Sequence, residues 1–118
     1  MYTIAKRFAF SASHFIGGLP AQHPCAQLHR HNYEVEVVLQ SAALDASGFV
    51  RDYFQLSVLK EFIEQSLDHR HLNEVLGHDR TTSEVIAKWI YDWCKQRWPE
   101  IVAVRVSETP QTWAEYRP

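Results

Sequence analysis

Two histidines one residue apart, His29 and His31, form the stretch of this sequence best suited to chemistry. Side chains alternate between faces on an extended backbone, so these two imidazoles point to the same side. A third histidine, His14, ends an earlier β-like segment that could pair with this one. Three imidazole nitrogens leave the fourth position of tetrahedral zinc open, which is typical of a catalytic zinc site. The sequence therefore predicts zinc bound by His14, His29 and His31.

The spacing leaves two questions open around this cluster. His23 competes with His14 as the third ligand, although it lies in a loop before Pro24, where its direction is less constrained. Cys25 could be a fourth ligand that closes the site, an inert buried thiol, or a thiolate base with a pKa lowered by a neighbouring cation. We favour a role for Cys25 beside the metal, without binding it.

Asp68 and His69 form a second candidate pair. A carboxylate next to an imidazole can fix its tautomer and raise its basicity, as general acid–base catalysis requires. A solvated helix end explains the same two residues, because histidine suits the negative end of the helix dipole. Glu108, at the end of a predicted strand, has no assigned chemistry on its own. Cys94, on a predicted helix, is explained by packing.

Length and charge limit the class of protein. The 118 residues fit a single domain, 1–118, and 46% of them are hydrophobic. A net charge of -2 without a basic run argues against nucleic acid or an anionic membrane surface as the partner. The sequence contains no apolar run long enough for a transmembrane helix and no secretion signal pattern, and its two cysteines are far apart. We therefore expect a cytoplasmic protein with reduced thiols.

Hydrophobic periodicity predicts the elements that position these residues. Period-two alternation indicates strands over 2–14, 31–40, about 102–107 and about 112–116, with a short extended piece over 49–53. Helical spacing indicates one helix over about 54–67 and a second that opens at a capping box, Thr81 with Glu84, and ends before Pro99. The order β-β-α-α-β-β favours an α+β domain, a four-stranded antiparallel sheet with both helices on one face. Its two exposed edges favour an oligomer.

Five short motifs in this order resemble the 6-pyruvoyl-tetrahydropterin synthase and 6-carboxytetrahydropterin synthase family over nearly the whole chain. They are the strand end Phe10–His14, Cys25 with 28–33, the segment 67–73, Thr82-Ser83-Glu84, and Glu108-Thr109. The resemblance implies the tunnelling fold (T-fold), with trimers that stack into a homohexamer and active sites between subunits.

The resemblance also implies roles for individual residues. His14, His29 and His31 would bind zinc, Cys25 would be the general base, and Asp68 with His69 the acid–base partner. Glu108 would bind the pterin ring through two hydrogen bonds. The implied substrate is 7,8-dihydroneopterin triphosphate, and the implied enzyme is a zinc-dependent lyase.

The short chain is most similar to the 6-carboxytetrahydropterin synthases of queuosine (7-deazaguanine) biosynthesis, which release triphosphate and acetaldehyde. Formation of 6-pyruvoyl-tetrahydropterin is the alternative within the family. A non-catalytic, zinc-stabilised binding module with Cys25 as fourth ligand is the alternative of another class. Two positions depart from the family pattern: Arg30 replaces a glycine between the zinc histidines, and Ser107 a common lysine. Arg30 could offer a cation to the triphosphate.

Overall fold

A computed structural model describes all residues, 1–118. Its strands are β1 (Tyr2–His14), β2 (His29–Ser41), β3 (Arg70–His71), β4 (Ile101–Thr109) and β5 (Thr112–Tyr116). Its α-helices are α1 (Ser57–Ser66), α2 (Leu72–Leu76) and α3 (Ser83–Lys95), and 3-10 turns cover Pro24–Ala26 and Tyr53–Leu56. None of the helices combines the length and apolar character needed to cross a membrane.

The strands form one sheet in the order β3-β1-β2-β4-β5. β1 and β2 pair antiparallel along their whole lengths, from Tyr2 opposite Ser41 to His14 opposite His29. β4 pairs antiparallel with both β2 and β5, whereas β3 runs parallel to β1. The α+β class is confirmed, but the sheet has five strands and is mixed, where four antiparallel strands were predicted.

The core lies between the helices and one face of the sheet. Alternate residues of β1, β2 and β4 point to this face, as the period-two pattern predicts. They pack in one cluster with α1 and α3, which includes Phe8, Phe10, Tyr33, Val35, Val104, Val106, Leu59, Ile63, Ile86 and Ile90. Both long helices therefore cover the same face, and the opposite face of the sheet remains open to solvent in the single chain.

Three local predictions were wrong. No strand or helix was predicted between α1 and α3, but this segment contains β3 and α2, and Leu72 of α2 is fully buried in the core. The piece over 49–53 is bent rather than extended. The cap of α3 is Thr82, whose hydroxyl accepts a hydrogen bond from the Val85 N–H. Thr81, the predicted cap, is instead fully buried beside His14.

The sheet divides where β2 and β4 separate. Pairing between them begins at Glu34 opposite Ser107, so the first residues of β2 pair with β1 only. Beyond Ser107, β4 continues to the tight turn into β5. A cleft opens between the two separated strand ends, with the end of the β1–β2 hairpin on one side.

Candidate active site

The structure brings His14, His29 and His31 together on the helix-facing side of the β1–β2 hairpin. His14 lies directly opposite His29, and His31 lies opposite Ala12, one position along on the same face. One ring nitrogen from each lies within 4.8 Å of the others. His23, the competing third ligand, lies outside this group: its Nδ1 accepts a hydrogen bond from the Cys25 N–H.

Two of the rings are oriented by backbone carbonyls. His14 Nδ1 lies 2.8 Å from the Thr81 oxygen, and His29 Nδ1 lies 2.6 Å from the Gln27 oxygen. A carbonyl only accepts, so each Nδ1 carries a proton, and in the neutral ring the Nε2 then presents a lone pair. These two Nε2 atoms are 2.9 Å apart. Two nitrogen lone pairs at this distance repel each other unless a cation binds both.

Burial decides which cation fits. His14 is 2% exposed, and burial lowers its pKa more than its hydrogen bond to Thr81 raises it. Burial also lowers the pKa of His31, outweighing the opposite effect of the Glu108 charge. Protonation of His14 and His31 is therefore disfavoured. Three imidazoles with ring nitrogens this close together are a donor set that zinc prefers, so these residues fit that metal.

Glu108 contributes a negative charge to the same group from β4. One oxygen of its carboxylate lies 3.6 Å from His31 Nε2 and 3.8 Å from His14 Nε2. These distances exceed a hydrogen bond, and the side chain stays 30% exposed. Glu108 therefore favours a divalent cation electrostatically while its carboxylate remains available to a ligand with N–H groups.

A cleft of about 760 Å³ lies beside the histidines, at the separation of β2 and β4. His31, Glu108, Tyr33, Asp68 and Arg30 line it. Arg30 is the only arginine or lysine in the lining, and its guanidinium makes no ion pair or hydrogen bond within the chain. The Tyr33 hydroxyl is buried without a hydrogen-bond partner, and burial raises its pKa. The cleft thus offers a carboxylate and a cation to a polar ligand, with the Tyr33 hydroxyl buried in its wall.

Cys25 lies near the histidines in sequence but outside their metal-ligating group. It occupies the 3-10 turn before β2, where its carbonyl accepts a hydrogen bond from Ile16 at 2.7 Å. This contact fixes the turn to the residues that follow His14. Cys25 is half-buried, and its thiol forms no disulfide. The single chain therefore gives a three-histidine set with Cys25 as a neighbour on the adjoining loop.

Asp68 and His69 form an ion-pair contact, with His69 Nδ1 3.0 Å from the carboxylate. Asp68 accepts a hydrogen bond from the Ser11 N–H, which together with His69 lowers its pKa. The His69 N–H donates to the Ser11 carbonyl. Both backbone groups of Ser11 point away from β2, so the pair lies along the outer edge of β1. Asp68 lines the same cleft as His31, but no hydrogen bond joins the pair to the three histidines.

His69 has a backbone φ of 58°, the one non-glycine residue with a positive φ. Such a conformation is costly for a residue with a side chain, and it persists where surrounding contacts or function require it. Here it turns the chain from α1 into β3 and keeps the imidazole against Asp68. Sequence reasoning had no signal for this turn, because no glycine or asparagine marks it.

Thr81 and Asn73 are site residues that the sequence analysis missed. Thr81 contacts the His14 ring, and the Asn73 amide bonds to both backbone groups of Phe15, the residue after His14. Asn73 lies in the motif 67–73 and Thr81 in the predicted capping box, but neither pattern assigned them a role at the site, since both act over more than fifty residues in the chain. The buried polar character of Thr81 becomes visible only in the folded chain.

Comparison with known proteins gives consistent results. The family model for 6-pyruvoyl tetrahydropterin synthase matches residues 3–118. A 6-carboxy-5,6,7,8-tetrahydropterin synthase of Bacillus subtilis is 35% identical over 129 residues, which cover 99% of this chain and 86% of that protein. The protein of that name from Synechocystis is 34% identical, over 98% of this chain and 93% of its own length.

The fold agrees with these sequence matches. The 6-pyruvoyl tetrahydropterin synthase structure of Caenorhabditis elegans superimposes with a TM-score of 0.86 at 25% identity, over 99% of this chain and 95% of that one. The expected T-fold subunit is therefore confirmed. Since the family model spans all but the first two residues, this chain belongs to the 6-pyruvoyl tetrahydropterin synthase family.

Proposed function

We propose that this protein is a zinc-dependent lyase that converts 7,8-dihydroneopterin triphosphate and water to 6-carboxy-5,6,7,8-tetrahydropterin, triphosphate and acetaldehyde. The observation that carries the proposal is the set of three histidines that converge beside Glu108 at the wall of an open cleft. The Bacillus subtilis and Synechocystis relatives, which bear the name of this activity, favour the carboxy product over the pyruvoyl one.

His14, His29 and His31 would hold the zinc ion. When bound, zinc would supply a Lewis acid that lowers the pKa of a substrate hydroxyl. Glu108 would accept hydrogen bonds from the ring nitrogen and exocyclic amine of the pterin, since its carboxylate faces the cleft and remains partly exposed. Ring binding here places the substrate side chain near the histidines.

Cys25 would act as the base that removes a proton from the substrate side chain. Asp68 and His69 would form the acid–base partner: Asp68 accepts from His69 and holds the imidazole tautomer. Because this pair lies on the outer edge of β1, we propose that it serves an active site completed by a neighbouring subunit. A homohexamer of two stacked trimers, as the resemblance implies, would provide such shared sites, and we expect it in the cytoplasm.

The activity is tested by incubating the purified zinc-loaded protein with 7,8-dihydroneopterin triphosphate and identifying the pterin by mass spectrometry. We expect the carboxy product with acetaldehyde in equal amount. A pyruvoyl product without acetaldehyde would instead support 6-pyruvoyl-tetrahydropterin synthase, the activity in the name of the Caenorhabditis elegans neighbour. Absence of both products would reject the proposed reaction.

A Cys25→Ala variant separates the enzyme from a zinc-stabilised binding module. If Cys25 is the base, the variant retains one zinc ion per chain and its melting temperature, while turnover falls by a factor of about 10² to 10⁴. If Cys25 is a fourth ligand, zinc content and melting temperature both fall. Metal analysis, thermal unfolding and steady-state kinetics on the same preparation distinguish the two. Cys94→Ala, which removes the buried thiol of α3, serves as the control for loss of a cysteine.

A further inference from the structure

We propose that Thr81 is a positioning residue for the metal site, which fixes the tautomer of His14 so that its Nε2 faces the ion. This inference rests on the proposed zinc site. Thr81 is fully buried, and His14 is 2% exposed, so no solvent competes for the contact between them. The residue immediately before the cap of α3 would thereby act on a metal ligand of β1.

Thr81 offers the His14 ring two acceptors. The His14 Nδ1 lies 2.8 Å from the Thr81 carbonyl oxygen and 3.2 Å from its hydroxyl oxygen. The hydroxyl proton is already committed, since Thr81 Oγ1 donates to the Phe15 carbonyl at 3.1 Å. The hydroxyl can therefore only accept from the imidazole. Both contacts require a proton on Nδ1 and leave the lone pair on Nε2, where His29 Nε2 is 2.9 Å away.

Asn73 holds the other side of the same segment. Its Oδ1 accepts from the Phe15 N–H at 3.1 Å, and its Nδ2 donates to the Phe15 carbonyl at 2.9 Å. The second amide proton reaches Asp79 Oδ1 at 3.2 Å. Asn73 is 8% exposed, so these bonds are largely shielded from water. The backbone after His14 is thus clamped by α2, and the ring is oriented by Thr81.

The arrangement has the form of an outer hydrogen-bond shell around a metal ligand. Such partners set ring orientation and ligand basicity, and their loss typically weakens metal binding by about 10- to 100-fold. Removal of the Thr81 hydroxyl leaves the backbone carbonyl in place. We therefore expect an effect near the lower end of this range.

The test is metal affinity in Thr81→Val, which keeps the shape of the side chain but removes the hydroxyl. Chelator-treated protein is titrated with Co²⁺ by visible absorption and with Zn²⁺ by competition. We expect Thr81→Val to bind both ions about 10-fold more weakly than the unmodified protein. We expect Thr81→Ser, which keeps the hydroxyl, to bind both ions with an affinity within about 3-fold of that of the unmodified protein. Equal affinity in Thr81→Val and the unmodified protein would overturn the inference.

Thr82→Val is the matched control at the next position. It removes the hydroxyl that caps α3 and should lower the melting temperature without changing metal affinity. If both variants weaken metal binding equally, general destabilisation explains the effect and the positioning role is rejected.

Nitrogen-15 NMR of the unmodified protein tests the tautomer without any variant. We expect His14 to carry its proton on Nδ1 in the metal-free form, and a proton on Nε2 would contradict the inference. If Thr81→Val fails to fold, this measurement of the His14 tautomer tests the inference in its place. The metal titration separates the two proposals. Failure of the unmodified protein to bind metal would reject the zinc site, whichever nitrogen of His14 carries the proton.

Discussion

At the scale of single residues, burial gives the histidines their chemistry. His14 lies at the end of an apolar strand face and loses almost all contact with water. Neutral imidazole is favoured there because the charged form would lose its hydration. Glu108 supplies negative charge without a direct hydrogen bond. Burial and the Glu108 charge together favour a divalent cation over a proton. A solvated histidine cluster would have no such preference.

Arg30 lies between His29 and His31 in the sequence, so its side chain is on the opposite face of β2. It is exposed, unpaired and the only cation in the cleft lining. We expect Arg30→Gly to raise the KM for the triphosphate substrate by about 10-fold, the effect of one lost charged hydrogen bond, with a smaller change in kcat. Steady-state kinetics provide the measurement.

Arg30→Lys serves as the control, since it keeps the charge and should recover much of the affinity. A substrate analogue without phosphates should show no difference between Arg30→Gly and the unmodified protein. An unchanged KM for the triphosphate in Arg30→Gly would show that this side chain does not contact the tail.

At the scale of elements, the long connection from β2 to α1 is held by one ion pair. Arg51 bonds to both oxygens of Glu100, at 2.9 and 3.1 Å, just before β4 begins. Both side chains are 23% exposed. Two parallel hydrogen bonds make this pair stronger than a typical surface contact. The pair thus ties the connecting loop to the strand that carries Glu108.

We expect Glu100→Gln to lower the free energy of unfolding by about 1 kcal/mol at neutral pH, a loss of roughly 4 °C in melting temperature. Burial acts to raise the pKa of Glu100, but the bonds and charge of Arg51 outweigh it and leave the pKa below its usual 4.5. The stabilisation is therefore complete above that value and lost as the pH falls through the lowered pKa.

Thermal unfolding at pH 7 and at about pH 3 measures this effect. The difference between Glu100→Gln and the unmodified protein should shrink at the lower pH, where the carboxylate takes up a proton. If the difference in melting temperature is the same at both pH values, the Arg51–Glu100 ion pair is not its cause. Glu64→Gln, at an exposed helical pair with Lys60, is the matched control and should have little effect at either pH.

At the scale of the whole molecule, both sheet edges remain open in a single chain. β3 pairs only with Ala12 and Ser13 of β1, and Ser11 bonds to Asp68 and His69, so residues 2–10 of β1 lack a strand neighbour on that side. β5 forms the opposite edge. Unpaired edges of this length favour association with further strands. The proposed oligomer would satisfy them and bring Asp68 and His69 of one subunit near the histidines of another.

Ala5→Pro tests this association. Ser11 points its backbone groups away from β2, and alternation along the unshifted β1–β2 ladder gives Ala5 the same direction. Proline at position 5 should therefore spare the bonds inside the chain but block pairing with a second chain. We expect smaller particles by light scattering, retained circular dichroism and lost activity. Ala5→Ser is the control, and an unchanged mass for Ala5→Pro would place the contact elsewhere.

The sequence by itself determined the local pattern of the site. The alternation of β1 and β2 put His29 and His31 on one face, the helical stripes predicted α1 and α3, and the motifs identified the family. These signals were readable because side-chain direction follows from backbone periodicity. The α+β class followed from the order of the predicted elements, although the brief β3 and α2 carried too few residues to show a period.

Only the tertiary structure decided what lies across the chain from each residue. Strand register placed His14, and not His23, opposite His29, and it kept Cys25 outside the metal-ligating group. Packing of the segment before α3 against β1 put Thr81 on the His14 ring and removed it from the cap position. The separation of β2 from β4 created the cleft. Such contacts join residues far apart in the sequence, and their energies depend on burial, which no local pattern encodes.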